Sequence, residues 1–180
     1  MQLYNMPMPI LEGESVRLRA ITEHDTNNIV RWRNNPQVAK NFIYRAPFTY
    51  EGHMHWLKTK VKTGNVIQYI IEQKHLGHDV GSVYLRDIDY VNNSAEYGIF
   101  IGEDTARGQG IGTEATRLFL QFALGQVGLH RVFLRVFANN AAAISSYKKV
   151  GFVTEGIFHD MVYLDGKYHD IQFMAVIQGA

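Results

Sequence analysis

Seven stretches rich in β-branched and aromatic residues, separated by turn signals or helical spacing, predict seven strands. They run over 15–20, 66–73, 80–88, 95–101, 131–137, 152–164 and 168–177. Between them the apolar period lengthens. Ile111, Ala115, Leu118 and Phe122 recur at helical spacing. Thr22-Glu23-His24-Asp25 is a capping box that opens a helix towards Arg33, and a further helix begins near Thr49 and carries Trp56 and Leu57. Asn139 or Asn140 caps an alanine-rich helix that carries Tyr147, and Gly151 suits the C′ position. His75 to Asp79 turns the second strand into the third, and Asp165-Gly166 is a type I′ signal between the last two. This order predicts an α/β (α+β mixed) fold: a mixed, mostly antiparallel sheet with helices on both faces.

A chain of 180 residues accommodates one full core, so the whole of 1–180 is read as a single domain. Residues 1–12, with Met6-Pro7-Met8-Pro9, form an extended lead-in. A hydrophobic content of 46% argues for a packed globule. The net charge of +1, with no lysine/arginine run, argues against a nucleic-acid partner. No apolar run approaches the roughly 18 residues of a membrane span, and the N-terminus lacks a signal-peptide layout. The absence of cysteine removes thiol catalysis and fits a cytoplasmic protein.

Chemistry first enters at Arg107-Gly108-Gln109-Gly110-Ile111-Gly112, which lies between a strand pattern and a helix pattern. A glycine-rich turn at a helix start presents free N–H groups and the positive end of the helix dipole, an arrangement suited to phosphate or pyrophosphate. A P-loop would need Lys-Ser/Thr where Thr113 and Glu114 stand. A dinucleotide fingerprint would need a third small residue at Thr113 and alternating βαβ units. Arg107, Gly110 and Gly112 instead fit Arg/Gln-x-x-Gly-x-Gly/Ala and resemble the acetyl-CoA pyrophosphate loop of the GNAT superfamily of N-acetyltransferases. Some thirty residues on, Asn140, Ala143, Ile144, Tyr147, Gly151 and Phe152 reproduce a second GNAT pattern, Asn-x-x-Ala-Ile-x-x-Tyr-x-x-x-Gly-Phe. Val16 to Ala20, Trp32-Arg33-Asn34-Asn35-Pro36 and the hairpin from Met161 to Asp170 resemble RimJ/RimL-type members. Trp32 to Asn34, with His55 and Trp56, is also similar to bacterial amino-sugar N-acetyltransferases.

The resemblance implies a sheet splayed at its centre, where strands 95–101 and 131–137 part to admit the pantetheine arm of acetyl-CoA. Backbone groups of Phe100 and Ile101 would bond the arm, and an N–H near Ile99 or Phe100 would meet the thioester carbonyl. The N–H groups of Gly108, Gln109, Gly110, Ile111, Gly112 and Thr113 would hold the pyrophosphate. Arg107 either adds charge there or braces the turn, and Asn140 contacts the arm, caps its helix, or does both. Tyr147 is the candidate general acid, since a tyrosine of pKa about 10 can return a proton to a thiolate of pKa about 8.5. Its alternative is a helix-face tyrosine packed into the core.

Glu96 is the candidate general base, directly or through a water, or else a strand-edge carboxylate facing solvent or an arginine. Asp170 either binds a cationic substrate or braces its hairpin, and His159 and His169 could line an acceptor pocket. Arg33, with Arg31 and Arg45, could meet a nucleotide or carboxylate, surface arginines being the alternative. No metal is expected: His53 and His55 point apart on their helix, His75, His78 and Asp79 share a polar turn, and acyl transfer needs none.

The function implied is acetyl-CoA-dependent transfer to a primary amine within a ternary complex. The acceptor is a small-molecule or peptide amine; an amino sugar, a polyamine, an aminoglycoside and a protein N-terminus all remain open. A non-catalytic acyl-CoA-binding module is the rival reading, and it could dispense with Tyr147 and Glu96. The aromatic C-terminal strands are either a homodimer surface or core.

Overall fold

The computed structural model describes residues 8–179, so Met6 and Pro7 of the expected lead-in lie outside it. Eight strands form one sheet in the order β1-β2-β3-β4-β5-β6-β8-β7. They are β1 (Leu11–Glu12), β2 (Val16–Ala20), β3 (Ile67–Gln73), β4 (His78–Asp89), β5 (Ser94–Ile101), β6 (Arg131–Phe137), β7 (Val153–Leu164) and β8 (Lys167–Ile177). The helices are α1 (Thr26–Asn34), α2 (Pro36–Ala39), α3 (Tyr50–Trp56), α4 (Ile111–Gln121) and α5 (Ala141–Lys149). The strand beyond the seven expected is β1, which pairs Leu11 with Leu18 inside the segment read as lead-in. Two residues are too few for a periodic pattern to signal.

Local chemistry places the other elements. Asp25 accepts hydrogen bonds from the Thr22 N–H (2.7 Å) and hydroxyl (3.0 Å), and a short 3₁₀ turn at Glu23–Asp25 precedes α1. Thr49 Oγ1 caps α3 by accepting from the Gly52 N–H, and Asn140 Oδ1 caps α5 by accepting from the Ala143 N–H. Asp165 and Gly166 both have positive φ, the type I′ geometry that the β7–β8 hairpin requires. The β3–β4 turn lies earlier than expected: Gly77 bonds back to the Gln73 carbonyl, and β4 has already begun at His78.

Every strand pair is antiparallel except β5–β6. That parallel pairing covers only Ser94–Glu96 against Arg131–Phe133, whereas β6 stays with β8 along its whole length. Beyond Glu96, β5 therefore has a neighbour on one side only, and the sheet is splayed at its centre. On one face α4 and α5 cover a core that includes Leu18, Tyr69, Tyr97, Phe119 and Leu134. On the other, α1 and α3 cover Ile70 and Phe100 with Ile29, Trp32 and Leu57.

The last two strands divide their roles. β8 buries Ile171 and Met174, while the outer strand β7 leaves Phe158, Met161 and Tyr163 exposed.

Candidate active site

The glycine loop enters α4 with positive φ at Gly108 and Gly110, and a Cβ at either would meet no atom within 4 Å. The glycines are thus demanded by the turn, not by packing. Arg107 braces that turn: Nε and Nη2 donate to the Ile101 carbonyl (3.2 and 3.1 Å), and Nη1 pairs with Asp104 (2.8 Å). The Gln109 side chain is turned back onto the loop, donating to the Thr105 carbonyl (2.7 Å) and accepting from Gln73 (3.1 Å). Among the described residues, none of the N–H groups from Gly108 to Thr113 donates to a protein acceptor. Six donors at a helix start, already fixed in place, form an anion cradle that fits a pyrophosphate.

A test follows from the open space at Gly110. Ala there costs about 1 kcal/mol of stability from left-handed backbone strain. Relief of that strain turns the N–H groups, so acetyl-CoA affinity falls about tenfold. Calorimetric titration checks this against Gly125→Ala, whose φ is not positive and whose Cβ also meets nothing. Equal affinity in the two variants would remove the loop from ligand binding.

Backbone parity decides which groups face the splay. Gly102 donates to the Val80 carbonyl, and Gly81 lies opposite Ile101. Phe100 and Ser82 therefore form a hydrogen-bonded pair, and the odd-numbered residues of β5 turn their backbone groups away from β4. The expectation for Phe100 is corrected: its backbone belongs to β4, and its ring is buried on the α1–α3 side, 6.3 Å from Trp32 and 5.8 Å from Phe42. Among the groups left without a strand partner are the N–H and carbonyl of Ile99 and the N–H of Ile101. Ile99 was on the expected list for the carbonyl contact, and Ile101 for the arm.

Tyr147 projects from α5 edge-on to Tyr97 (6.2 Å) and Phe152 (5.7 Å). Burial, with a contribution from Tyr84, pushes its phenol well above the ordinary tyrosine range. It therefore holds its proton through neutral pH and can act only as a donor there.

Tyr84 is a residue the sequence reading missed. It lies opposite Gly98, and a Cβ on Gly98 would sit 2.3 Å from its Cζ. The ring can lie across β5 only because position 98 has no side chain, which brings its phenol within electrostatic reach of both Tyr147 and Arg33. A glycine inside a strand was the available signal. Gly98→Ala should displace this ring and lower kcat/KM at least about tenfold without moving the acetyl-CoA dissociation constant. An unchanged kcat/KM would leave Tyr84 a packing residue.

Glu96 is corrected as a direct base. It is 6% exposed, and both its oxygens are taken by two guanidinium groups. Arg86 donates through Nε and Nη2 at 3.1 and 2.9 Å, and Arg135 does the same at 2.9 and 3.0 Å. Although burial alone would raise its pKa, these bonds hold it below the usual glutamate range. A carboxylate so stabilised has little affinity for a proton.

Asp170 takes the hairpin-bracing role. It accepts from the Asp160 N–H (2.9 Å) and faces His159 Nδ1 (2.8 Å) across the irregular stretch between Phe158 and Val162. His159 itself is largely exposed, whereas His169 packs against Phe137 at 5.4 Å. Asn140, besides capping α5, donates to Asn41 Oδ1 at 3.3 Å, on the opposite side of the splay. Arg33 lies half-buried against Phe42 on the α1–α3 side. Of the paired histidines, His53 is buried against Thr26, with its pKa lowered to about 4 by desolvation, and His55 is exposed.

A family model described as "Acetyltransferase (GNAT) domain" matches residues 15–153, most of the chain. The chain belongs to the GNAT family of acetyltransferases. This GNAT protein is 26% identical over 166 residues to spermidine N(1)-acetyltransferase of Vibrio cholerae, covering 92% of this chain and 95% of the relative. It is 30% identical over 98 residues to the putative ribosomal N-acetyltransferase YdaF of Bacillus subtilis, covering 54% and 53%. The crystal structure of the Vibrio cholerae spermidine N-acetyltransferase in complex with CoA and spermine shares the fold, with a TM-score of 0.85, 23% identity and coverage of 92% and 97%. This GNAT chain is thus an acyltransferase, an N-acetyltransferase that uses acetyl-CoA. The reading as a non-catalytic acyl-CoA-binding module is not retained.

Proposed function

We propose that this enzyme transfers acetyl directly from acetyl-CoA to a primary amine of a small molecule, with both substrates bound together. The reading rests on one arrangement: the unpaired backbone edge of β5 runs to a loop of six free N–H groups, with Tyr147 beside it. In the bound complex the loop holds the pyrophosphate, and the N–H groups of Ile99 and Ile101 pair with the arm and the thioester carbonyl. Tyr147 returns a proton to the departing sulfur. Direct attack by the amine is supported by the absence of cysteine, the usual residue for carrying an acetyl group. On the α1–α3 face Arg86 and Arg135 share Glu96, Arg86 also lies 3.7 Å from Asp87, and Arg33 has no carboxylate partner among the described residues. The unpaired charge of Arg33 disfavours an ammonium ion beside it and helps an acceptor amine placed there to be neutral and nucleophilic.

The names of similar relatives support a polyamine as the acceptor class, and spermidine belongs in the first assay. The charge of Arg33 favours a second class, an amine that also carries an anion. The stretches around Val16 to Ala20 and Trp32 to Pro36 support a RimJ/RimL-like place within the family. Release of the CoA thiol from acetyl-CoA tests the reading against spermidine, amino sugars, aminoglycosides and short peptides. Amine-dependent release is the expected result; release independent of every amine would overturn direct transfer.

We also propose a homodimer through β7. This strand is twelve residues long and lies at the sheet edge, so one row of its backbone groups is unpaired. Phe158, Met161 and Tyr163 project from it, 53%, 42% and 62% exposed. Light scattering should give twice the chain mass, and Phe158→Glu should give the monomer. A wild-type monomer at assay concentration would end this proposal.

A further inference from the structure

Between α1, α2 and the segment that leads to α3 lies a cavity of about 190 Å³. Its lining includes Arg33 and Arg45 but no aspartate or glutamate. Arg45 is committed: it donates to the carbonyls of Phe42 (3.0 Å) and Lys40 (2.8 Å) and pairs with Asp165 of the β7–β8 hairpin.

Arg33 is different. Its guanidinium lies 3.4 Å from the Phe42 ring centre, 5.0 Å from Phe48 and 5.9 Å from Phe100. Its buried Nε has no hydrogen-bond partner, the neutral Tyr84 phenol interacts with the rest of the guanidinium, and no carboxylate pairs with it among the described residues. The aromatic walls are fixed. Asn34 holds Phe48 with two hydrogen bonds, 2.7 and 2.9 Å, and the Phe42 N–H donates to the Ala39 carbonyl at 3.0 Å. Cation–π contact offsets only part of the cost of keeping a permanent charge out of water. A guanidinium held in a rigid cage beside a cavity, without a counter-ion, is a receptor for an oxyanion.

We propose that Arg33 binds an anionic group, carboxylate or phosphate, on the same acceptor molecule whose amine is acetylated. This rests on the N-acetyltransferase reading above and deepens it. Phe100, 5.9 Å from the guanidinium, belongs to β5, so Arg33 lies on the α1–α3 face of the strand that borders the splay. Arg45 is already paired with Asp165, so the charge without a carboxylate partner there is that of Arg33, and an acceptor that carries an anion gains a contact that a polycation does not.

The test compares matched acceptors at saturating acetyl-CoA. Glucosamine 6-phosphate is set against glucosamine for phosphate, 4-aminobutyrate against putrescine for carboxylate, and spermidine serves as the polycation. The expected result is kcat/KM at least tenfold higher for one anionic member than for its partner and for spermidine. Arg33→Gln should abolish that preference through KM, with acetyl-CoA affinity unchanged, and Arg33→Lys should restore part of it. In parallel, inorganic phosphate is titrated into the CoA-loaded enzyme, where CoA already fills the glycine loop. Saturable binding that weakens at least tenfold in Arg33→Gln supports the site even if no acceptor in the panel turns over, which would count only against the choice of amines. Spermidine preferred over both anionic amines and insensitive to Arg33→Gln would overturn the anion site and leave the enzyme reading intact. Phosphate binding equal in wild type and variant would overturn it as well.

Discussion

Tyr147→Phe is expected to lower the rate of acetyl transfer about a hundredfold or more, the range of a positioned general acid. The ring packs edge-on to Tyr97 and Phe152, and phenylalanine keeps both contacts. No described hydrogen bond ties down the hydroxyl, so melting temperature and acetyl-CoA affinity should stay near wild type. The loss should appear in kcat, as for an interaction made only in the transition state. Burial raises the phenol's pKa above the ordinary value, so the acid form persists at least as high in pH as in a free tyrosine. The wild-type profile should accordingly rise as the acceptor amine loses its proton, with no Tyr147-linked fall below about pH 10. A variant within twofold of wild type would reduce Tyr147 to a packing residue.

Much of this arrangement was legible because it is encoded locally. The glycine loop, the Asn140 cap, the Asp165-Gly166 turn and the order of elements each depend on a few neighbouring residues whose conformational needs are specific. The errors share another cause. Whether the backbone of Phe100 or of its neighbours faces the splay depends on the register of β5 against β4, where a shift of one residue reverses the answer. The two arginines on Glu96 come from β4 and β6, ten residues before it and thirty-nine after. No local pattern joins them. Tyr84 reaches across β5 only because Gly98 happens to lie opposite, a relation visible in register and not in composition. Arg33 was visible as a charge, but its lack of a carboxylate partner among the described residues can be seen only once those residues have been placed. Exposure of β7 likewise depends on its edge position, since its aromatic sequence suits core or surface equally.

Glu96→Gln separates a positioning residue from a base. The glutamine cannot match two bidentate guanidinium pairs, so Arg86 and Arg135 lose the charge that holds them together below the acceptor face. Breaking a buried pair costs about 3–5 kcal/mol. The arginine side chains are 35% and 29% exposed, and solvent reduces the loss here to about 2–3 kcal/mol. For a domain of this size that is a fall in melting temperature of about 5–10 °C at pH 7. Because the folded pKa of Glu96 is lowered, its stabilisation is complete above the unfolded value and disappears as pH falls through the folded one. The gap between wild type and variant should therefore shrink below about pH 4.3. Below the variant's melting transition its kcat should remain within about threefold of wild type, the result expected if a carboxylate held by two guanidinium groups does not take the amine proton. A loss of about a hundredfold, with the melting temperature unchanged, would restore Glu96 as the base and require one of the two arginines to leave it when substrate binds.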